Sequence, residues 1–214
     1  MTLPSPPLLL ITDRHQARGD ICDIAEAALS AGCRWLSLRE KDLPQSQQAA
    51  LLRKLLDRAQ QFQAKVTLHG DPALARQARA DGVHLSAGGD AAAARHVLAQ
   101  GALIGLSVHS VQEARSVDSK RVDYVIAGPV FETHSKPGYG PVLGPEGLAL
   151  IVAACPVPVV AIGGIDPQNA SKCQLAGAAG FAVMGGVMRS ENPAEVVAQL
   201  IGALTTPMPQ PRPR

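Results

Sequence analysis

Short apolar runs alternate along the chain with longer stretches in which alanine and leucine recur at helical spacing. The runs predict strands at 8–12, 35–39, 65–68, 82–85, 103–106, 124–127, 157–162 and 181–184. The stretches between predict helices at 20–31, 44–62, 72–80, 91–100, 111–117, 145–154, 166–176 and 193–204. Ala49, Leu52, Leu55, Leu56 and Ala59 make the period plainest. Strict strand–helix alternation implies a parallel sheet, because each crossover returns the chain to the same edge. An open doubly wound sheet would also satisfy it. Polar residues collect after many strands rather than at one switch point, which favours a single (β/α)8 TIM barrel over residues 1–204. Residues 205–214, TTPMPQPRPR, are proline-rich and predict a disordered tail.

Two predicted strands end in paired glycines, Gly163-Gly164 and Gly185-Gly186. Glycine pairs in successive strand-to-helix turns let an anion approach bare backbone N–H groups, and in such barrels the loops after strands seven and eight hold phosphate. Tight-turn formation alone is the competing reading.

Composition narrows the function classes. Hydrophobic residues make up 46% and aromatics only 3%, which predicts an aliphatic core. The net charge of +2, without a clustered basic stripe or interleaved aromatics, argues against nucleic acid and against a membrane surface. The opening MTLPSPPLLL has no basic n-region and too short an apolar run for a signal peptide or span, so a cytoplasmic location is expected. Cys22, Cys33, Cys155 and Cys173 are scattered and read as reduced, buried thiols. Oligomeric state is open, a homo-oligomer included.

The predicted strand ends carry the candidate chemistry. Asp13 and Arg14 follow strand one; Arg39, Glu40 and Lys41 follow strand two; His69 follows strand three and Ser86 strand four. Ser107, His109 and Ser110 follow strand five, and Thr133, His134, Ser135 and Lys136 lie in the long Gly/Pro-rich loop 128–144. That loop is expected to cover a ligand. Arg39 ends an apolar run, where a guanidinium suits carboxylate or phosphate. Ser110 is as suited to capping a helix as to binding, and His84, inside a strand, reads as a hydrogen-bonded barrel histidine. Asp71 and Asp90 read as helix N-terminal residues.

These stretches together resemble the thiamin phosphate synthase/TenI family of barrels. LLLITDR (8–14), LSLREK (36–41), ADGVHL (80–85), IGLSVHSVQEA (104–114), DYVIAGPVFETHSKPG (123–138), PVVAIGGIDPQNA (158–170) and GAAGFAVMGGV (177–187) carry the resemblance. It covers residues 8–204. The synthase joins a pyrimidine diphosphate to thiazole phosphate with magnesium, using Asn-Asp after strand three and Asp after strand four. Here His69-Gly70 and Gly89 stand at those positions, and Ser37 stands where the synthase has Gln. The TenI branch isomerises a thiazole carboxylate phosphate and places a catalytic His where this chain has Pro129, as the synthase does.

The resemblance implies a small-molecule phosphate ester, thiazole phosphate or thiamin phosphate, as ligand. Gly163, Gly164, Gly185 and Gly186 would hold the phosphate, and Arg39, Lys41, Ser107, Thr133, Ser135 and Lys136 the rest of the substrate. His134 and His69 are the candidates for proton transfer, imidazole titrating near neutrality. A metal-independent TenI-like thiazole tautomerase, needing no cofactor, is the leading expectation. A magnesium-dependent thiamin phosphate synthase and a non-catalytic regulatory binder are the alternatives.

Overall fold

The computed structural model describes residues 2–133, 135 and 141–205. Eight parallel strands close a barrel in sequence order: β1 (Leu8–Ile11), β2 (Trp35–Leu38), β3 (Lys65–His69), β4 (Gly82–Leu85), β5 (Leu103–Val108), β6 (Tyr124–Ala127), β7 (Val159–Ile162) and β8 (Gly180–Val183). β8 pairs back onto β1, with Leu9 opposite Ala182. The intervening helices are α1 (Ile21–Ser30), α2 (Gln45–Gln61), α3 (Pro72–Gln77), α4 (Ala91–Val97), α5 (Val111–Arg115), α6 (Gly144–Ala154) and α7 (Ala170–Leu175). A one-turn helix α8 (Gly185–Met188) and the closing helix α9 (Pro193–Thr205) follow β8. The expected single (β/α)8 barrel is therefore the fold, with α8 an addition that the apolar periodicity is too short to signal. α9 reaches one residue into the segment expected as a tail, and the rest of that segment lies outside the described residues.

The two-residue period of the strands divides the core by parity. Leu8, Leu10, Leu36, Leu38, Val66, Leu68, Val83 and Ile104 face the helices in one aliphatic cluster. Leu9, Ile11, Trp35, Leu103, Tyr124, Ile126, Val160 and Ala182 fill the barrel. The core is mainly aliphatic, as expected, with Phe181 in the outer cluster and Trp35 and Tyr124 inside the barrel. Trp35 and Tyr124 meet edge to face there, with ring centroids 4.7 Å apart. Gly105 makes their packing possible, because a Cβ on it would overlap the Tyr124 ring and His84.

Local chemistry accounts for the boundaries. Asp20, Asp71, Asp90 and Ser110 cap their helices, accepting from the amides of Cys22, Ala73, Ala93 and Glu113. The helix expected from 166 starts only at Ala170, because Asp166 Oδ1 takes the amides of Gln168 and Asn169, both at 2.9 Å, and closes a turn first. At the foot of the barrel, Asp81 accepts from the Val66 amide at 2.8 Å and Asp123 from the Ile104 amide at 2.7 Å, each stitching a strand start to its neighbour. Cys22, Cys33 and Cys173 are buried and Cys155 half-buried, all four as free thiols.

Candidate functional site

The C-terminal ends of the strands open onto a cavity of about 600 Å3. Its wall includes Arg39 and Lys41 after β2, His69 at the end of β3, His84 of β4, Ser107 and His109 at the end of β5, and Thr133 and Ser135 of the β6–α6 loop. Gly163, Gly164, Gly185 and Gly186 line the side under β7 and β8. The structure thus brings Arg39, Lys41, His69, Ser107, Thr133, Ser135 and the four glycines to one cavity, whereas Arg14, Glu40 and Ser110 do not line it. His134 and Lys136 lie outside the described residues. A second cavity of about 720 Å3 adjoins the first and shares Arg39, Lys41, Ser135 and Arg189 with it.

Alternation along the Arg39-Glu40-Lys41 segment separates its charges. Glu40 is buried, accepting from the Arg14 amide at 3.1 and 3.2 Å and from the Arg14 guanidinium at 3.2 Å. Asp42 takes the same guanidinium and His15. These carboxylates tie the β1 loop to the β2 loop, so Glu40 is a strut and not a counterion to Arg39. The Arg39 amide donates to the buried Thr12 hydroxyl at 2.9 Å, and the Thr12 amide to the Ser37 carbonyl at 3.0 Å. Thr12 therefore continues the β1–β2 ladder although it falls outside the regular strand. Among the described residues no carboxylate ion-pairs with Arg39, Lys41 or Arg189. Partial desolvation and the Arg39 charge lower the Lys41 pKa.

The histidines differ. His84 is the barrel histidine expected: it is buried, with Nε2 2.9 Å from Ser107 Oγ and its ring 4.9 Å from that of His69. Burial, with repulsion from Lys41, pushes its pKa down to about 3, which leaves it neutral and unsuited to take a proton near neutrality. His109 places Nδ1 2.8 Å from the Gly128 carbonyl. A carbonyl only accepts, so Nδ1 carries the proton and the basic lone pair of the neutral ring is on Nε2. The Glu113 carboxylate takes the His109 amide at 2.5 Å while Ser110 caps the Glu113 amide at 3.1 Å, which fixes the backbone under the ring. Ser110 is thus a cap and not a ligand.

The glycines also divide. Gly163 and Gly164 have φ of +102° and +62°, and a Cβ on either would run into residues 129–132 of the neighbouring loop. Asn169 Nδ2 donates to the Gly164 carbonyl at 2.8 Å and holds that turn. This pair is required by the fold whatever it binds. Gly186 is different: it is exposed, its φ is not positive, and a Cβ would meet nothing within 4 Å. Nothing among the described residues demands glycine there.

Asp71 and Asp90, the carboxylates beside the turns after β3 and β4, are committed to helix caps, while Glu132 and Asp166 are the carboxylates in the cavity wall. Asp71 accepts from the Ala73 amide at 2.8 Å and from Gln45 Nε2 at 3.2 Å, and Asp90 accepts from the Ala93 amide at 2.9 Å. Neither lines the cavity. By the resemblance, His69, Gly70 and Gly89 stand where the synthase holds its metal, and an imidazole with two glycines is a poor donor set for a cation that wants carboxylate and water oxygens. The donor set at these positions does not fit magnesium.

Gln16 and Arg189 are cavity-lining residues that the sequence did not single out. Gln16 lies between strand one and its helix with no motif around it, and Arg189 ends a helix of a single turn.

Comparison with known proteins places this architecture. The profile of the family described as thiamine monophosphate synthase matches residues 8–187. A protein of Geobacter sulfurreducens named "Putative thiamine-phosphate synthase" is 40% identical over 202 residues, 92% of this chain and 93% of its own. The thiamine-phosphate synthase of Chlorobium luteolum is 36% identical over 94% of both chains. The solved structure of thiamine phosphate pyrophosphorylase from Pyrococcus furiosus superposes with a TM-score of 0.82 at 31% identity, covering 92% of this chain and 94% of that one. With the match spanning all eight strands and the mouth they enclose, the chain belongs to the thiamine monophosphate synthase family of thiamine biosynthesis.

Proposed function

We propose that this chain binds a phosphorylated thiazole in the barrel mouth and moves a proton on it without a metal. The phosphate would rest on the backbone around Gly163-Gly164 and Gly185-Gly186, with Arg39 and Lys41 offsetting negative charge across the cavity. The observation that carries the reading is the fate of Asp71 and Asp90, the carboxylates beside the turns after β3 and β4. Departure of diphosphate builds charge that magnesium on strand-end carboxylates would offset. Here Asp71 and Asp90 are spent on helix caps, and glycine occupies the positions that the synthase gives to aspartate.

Proton transfer needs a group titrating near neutrality at the cavity wall. His69 and His109 both line it. The Gly128 carbonyl fixes the orientation of the His109 ring, with the proton on Nδ1. His134 stays a candidate from the sequence. The names of the relatives favour a second reading, thiamin phosphate synthesis, over the tautomerase.

The deciding assay offers purified protein two mixtures. One is pyrimidine diphosphate with thiazole phosphate and magnesium; the other is the non-aromatic thiazole carboxylate tautomer with chelator. Aromatisation in the second mixture, lost in His69→Ala, His109→Ala or His134→Ala, supports the proposal and names the base. Rapid magnesium-dependent thiamin phosphate formation in the first would replace it with the synthase. Binding of thiazole phosphate with turnover in neither would leave a regulatory binder.

A further inference from the structure

Gln16 holds the Arg189 guanidinium against the Gly185 backbone. Its Oε1 accepts from Arg189 Nη1, and the Ser135 hydroxyl donates to the same oxygen at 2.9 Å. Its Nε2 donates to Asp13 Oδ2 at 2.5 Å, which fixes the way the amide faces. Arg189 Nη1 lies 3.3 Å from Ser135 Oγ. A Cβ on Gly185 would overlap all three polar groups, so the guanidinium sits directly on that backbone.

The partners of Arg189 are neutral, unlike those of its neighbours. Arg14 pairs with Glu40 and Asp42, and Arg18 with Glu191. Each of those guanidiniums has its charge cancelled by carboxylate. The Arg189 charge is steered by an amide and a hydroxyl and cancelled by nothing among the described residues. A guanidinium has five N–H donors, and two neutral acceptors leave donors to spare for an anion. Arg189 also stands where the two cavities join.

We propose that Arg189, positioned by Gln16, is the side chain by which the mouth selects a phosphate monoester over the parent alcohol. The inference rests on the phosphate reading above and on no particular reaction. The planar fork of arginine matches two phosphate oxygens at once, an interaction that lysine makes only as a point charge. Gln16 serves as holder because it is uncharged: a carboxylate of the same size would take the guanidinium for itself.

Titration calorimetry of the full chain with thiazole phosphate and with the unphosphorylated thiazole alcohol tests this. The wild type is expected to prefer the ester. Arg189→Ala is expected to weaken the ester by about tenfold or more and leave the alcohol unchanged. Arg189→Lys should keep part of the preference. Gln16→Glu should weaken the ester in the same direction with the arginine still present, and it carries the test should Arg189→Ala not fold. An ester-to-alcohol ratio unchanged in both Arg189→Ala and Gln16→Glu overturns the role of Arg189 and leaves the phosphate reading standing. A wild type that does not distinguish ester from alcohol overturns both.

Discussion

His84 Nε2 and Ser107 Oγ lie 2.9 Å apart across the β4–β5 ladder, at the floor of the mouth. His84 is fully enclosed and also faces the His69 and Tyr124 rings and the Lys41 charge. Its pKa falls to about 3, while in the unfolded chain it would take a proton near pH ~6.5. Between those values the unfolded state binds more protons, so stability is lost as pH falls through that window. One such group costs about 1.4 kcal/mol per pH unit, or roughly 2 kcal/mol by pH ~5. Urea unfolding of the wild type and His84→Asn at neutral and mildly acidic pH should show a smaller acid loss in the variant. Equal losses would contradict a neutral, buried His84.

The glycines of the mouth separate under mutation. Gly164→Ala puts a Cβ at φ +62° onto the Glu132 carbonyl, and Gly163→Ala runs into Pro129. Both should destabilise by more than ~1 kcal/mol, as left-handed positions filled by alanine do. Gly186→Ala meets open space and should change stability by less than about 0.5 kcal/mol. Thiazole phosphate should nonetheless bind more weakly to Gly186→Ala, because the methyl would hold the ester off the backbone. A folded Gly186→Ala with unchanged affinity would place the phosphate elsewhere.

What was legible in the sequence follows from how locally each feature is encoded. Eight strands and their helices came from apolar spacing, because each half-buried element repeats its own period. Arg39, Lys41, His69 and Ser107 were legible because strand ends are predictable and a barrel gathers them at one rim. Other features needed three dimensions. Gly163-Gly164 read as a phosphate grip from sequence, yet positive φ and the closeness of the 129–132 loop demand glycine there anyway. The sequence places Glu40 between Arg39 and Lys41, and only the fold shows that it turns toward Arg14 instead. Gln16 and Arg189 gain their meaning only where the β1 loop meets the turn after β8. Trp35 and Tyr124 were hidden because composition counts aromatics without saying which side of the sheet they take.

Asp71 and Asp90 should behave as caps. Replacement of either by alanine is expected to cost about 1 kcal/mol in urea unfolding, and by asparagine much less, since asparagine caps nearly as well. Neither Asp71→Asn nor Asp90→Asn should change ligand affinity or its response to magnesium. Loss of a magnesium-dependent activity in Asp90→Asn would show that the carboxylate reaches the metal side after all, and would favour the synthase.

Lys41 offers a test of where the ligand's charge lies. Lys41 is exposed at the mouth, and partial desolvation together with the like charge of Arg39 lowers its pKa. Its contact to Ser86 Oγ, at 3.5 Å, supplies a neutral group only. An anion arriving between Lys41 and Arg39 would offset both causes and raise the pKa toward that of an ordinary lysine. At alkaline pH, where part of Lys41 has lost its proton, the complex must then bind more protons than its separated parts. Binding of thiazole phosphate should take up protons from the buffer, and affinity should fall as pH rises through this range. Calorimetry in two buffers of different ionisation enthalpy reads the uptake directly. Near neutrality the phosphate group's own second ionisation, at about pH 6, contributes, so the measurement belongs well above it. Lys41→Met should abolish the alkaline uptake, while Arg39→Lys, which keeps the charge, should preserve it. Heats that agree between the buffers in the wild type would mean that the anion does not approach Lys41.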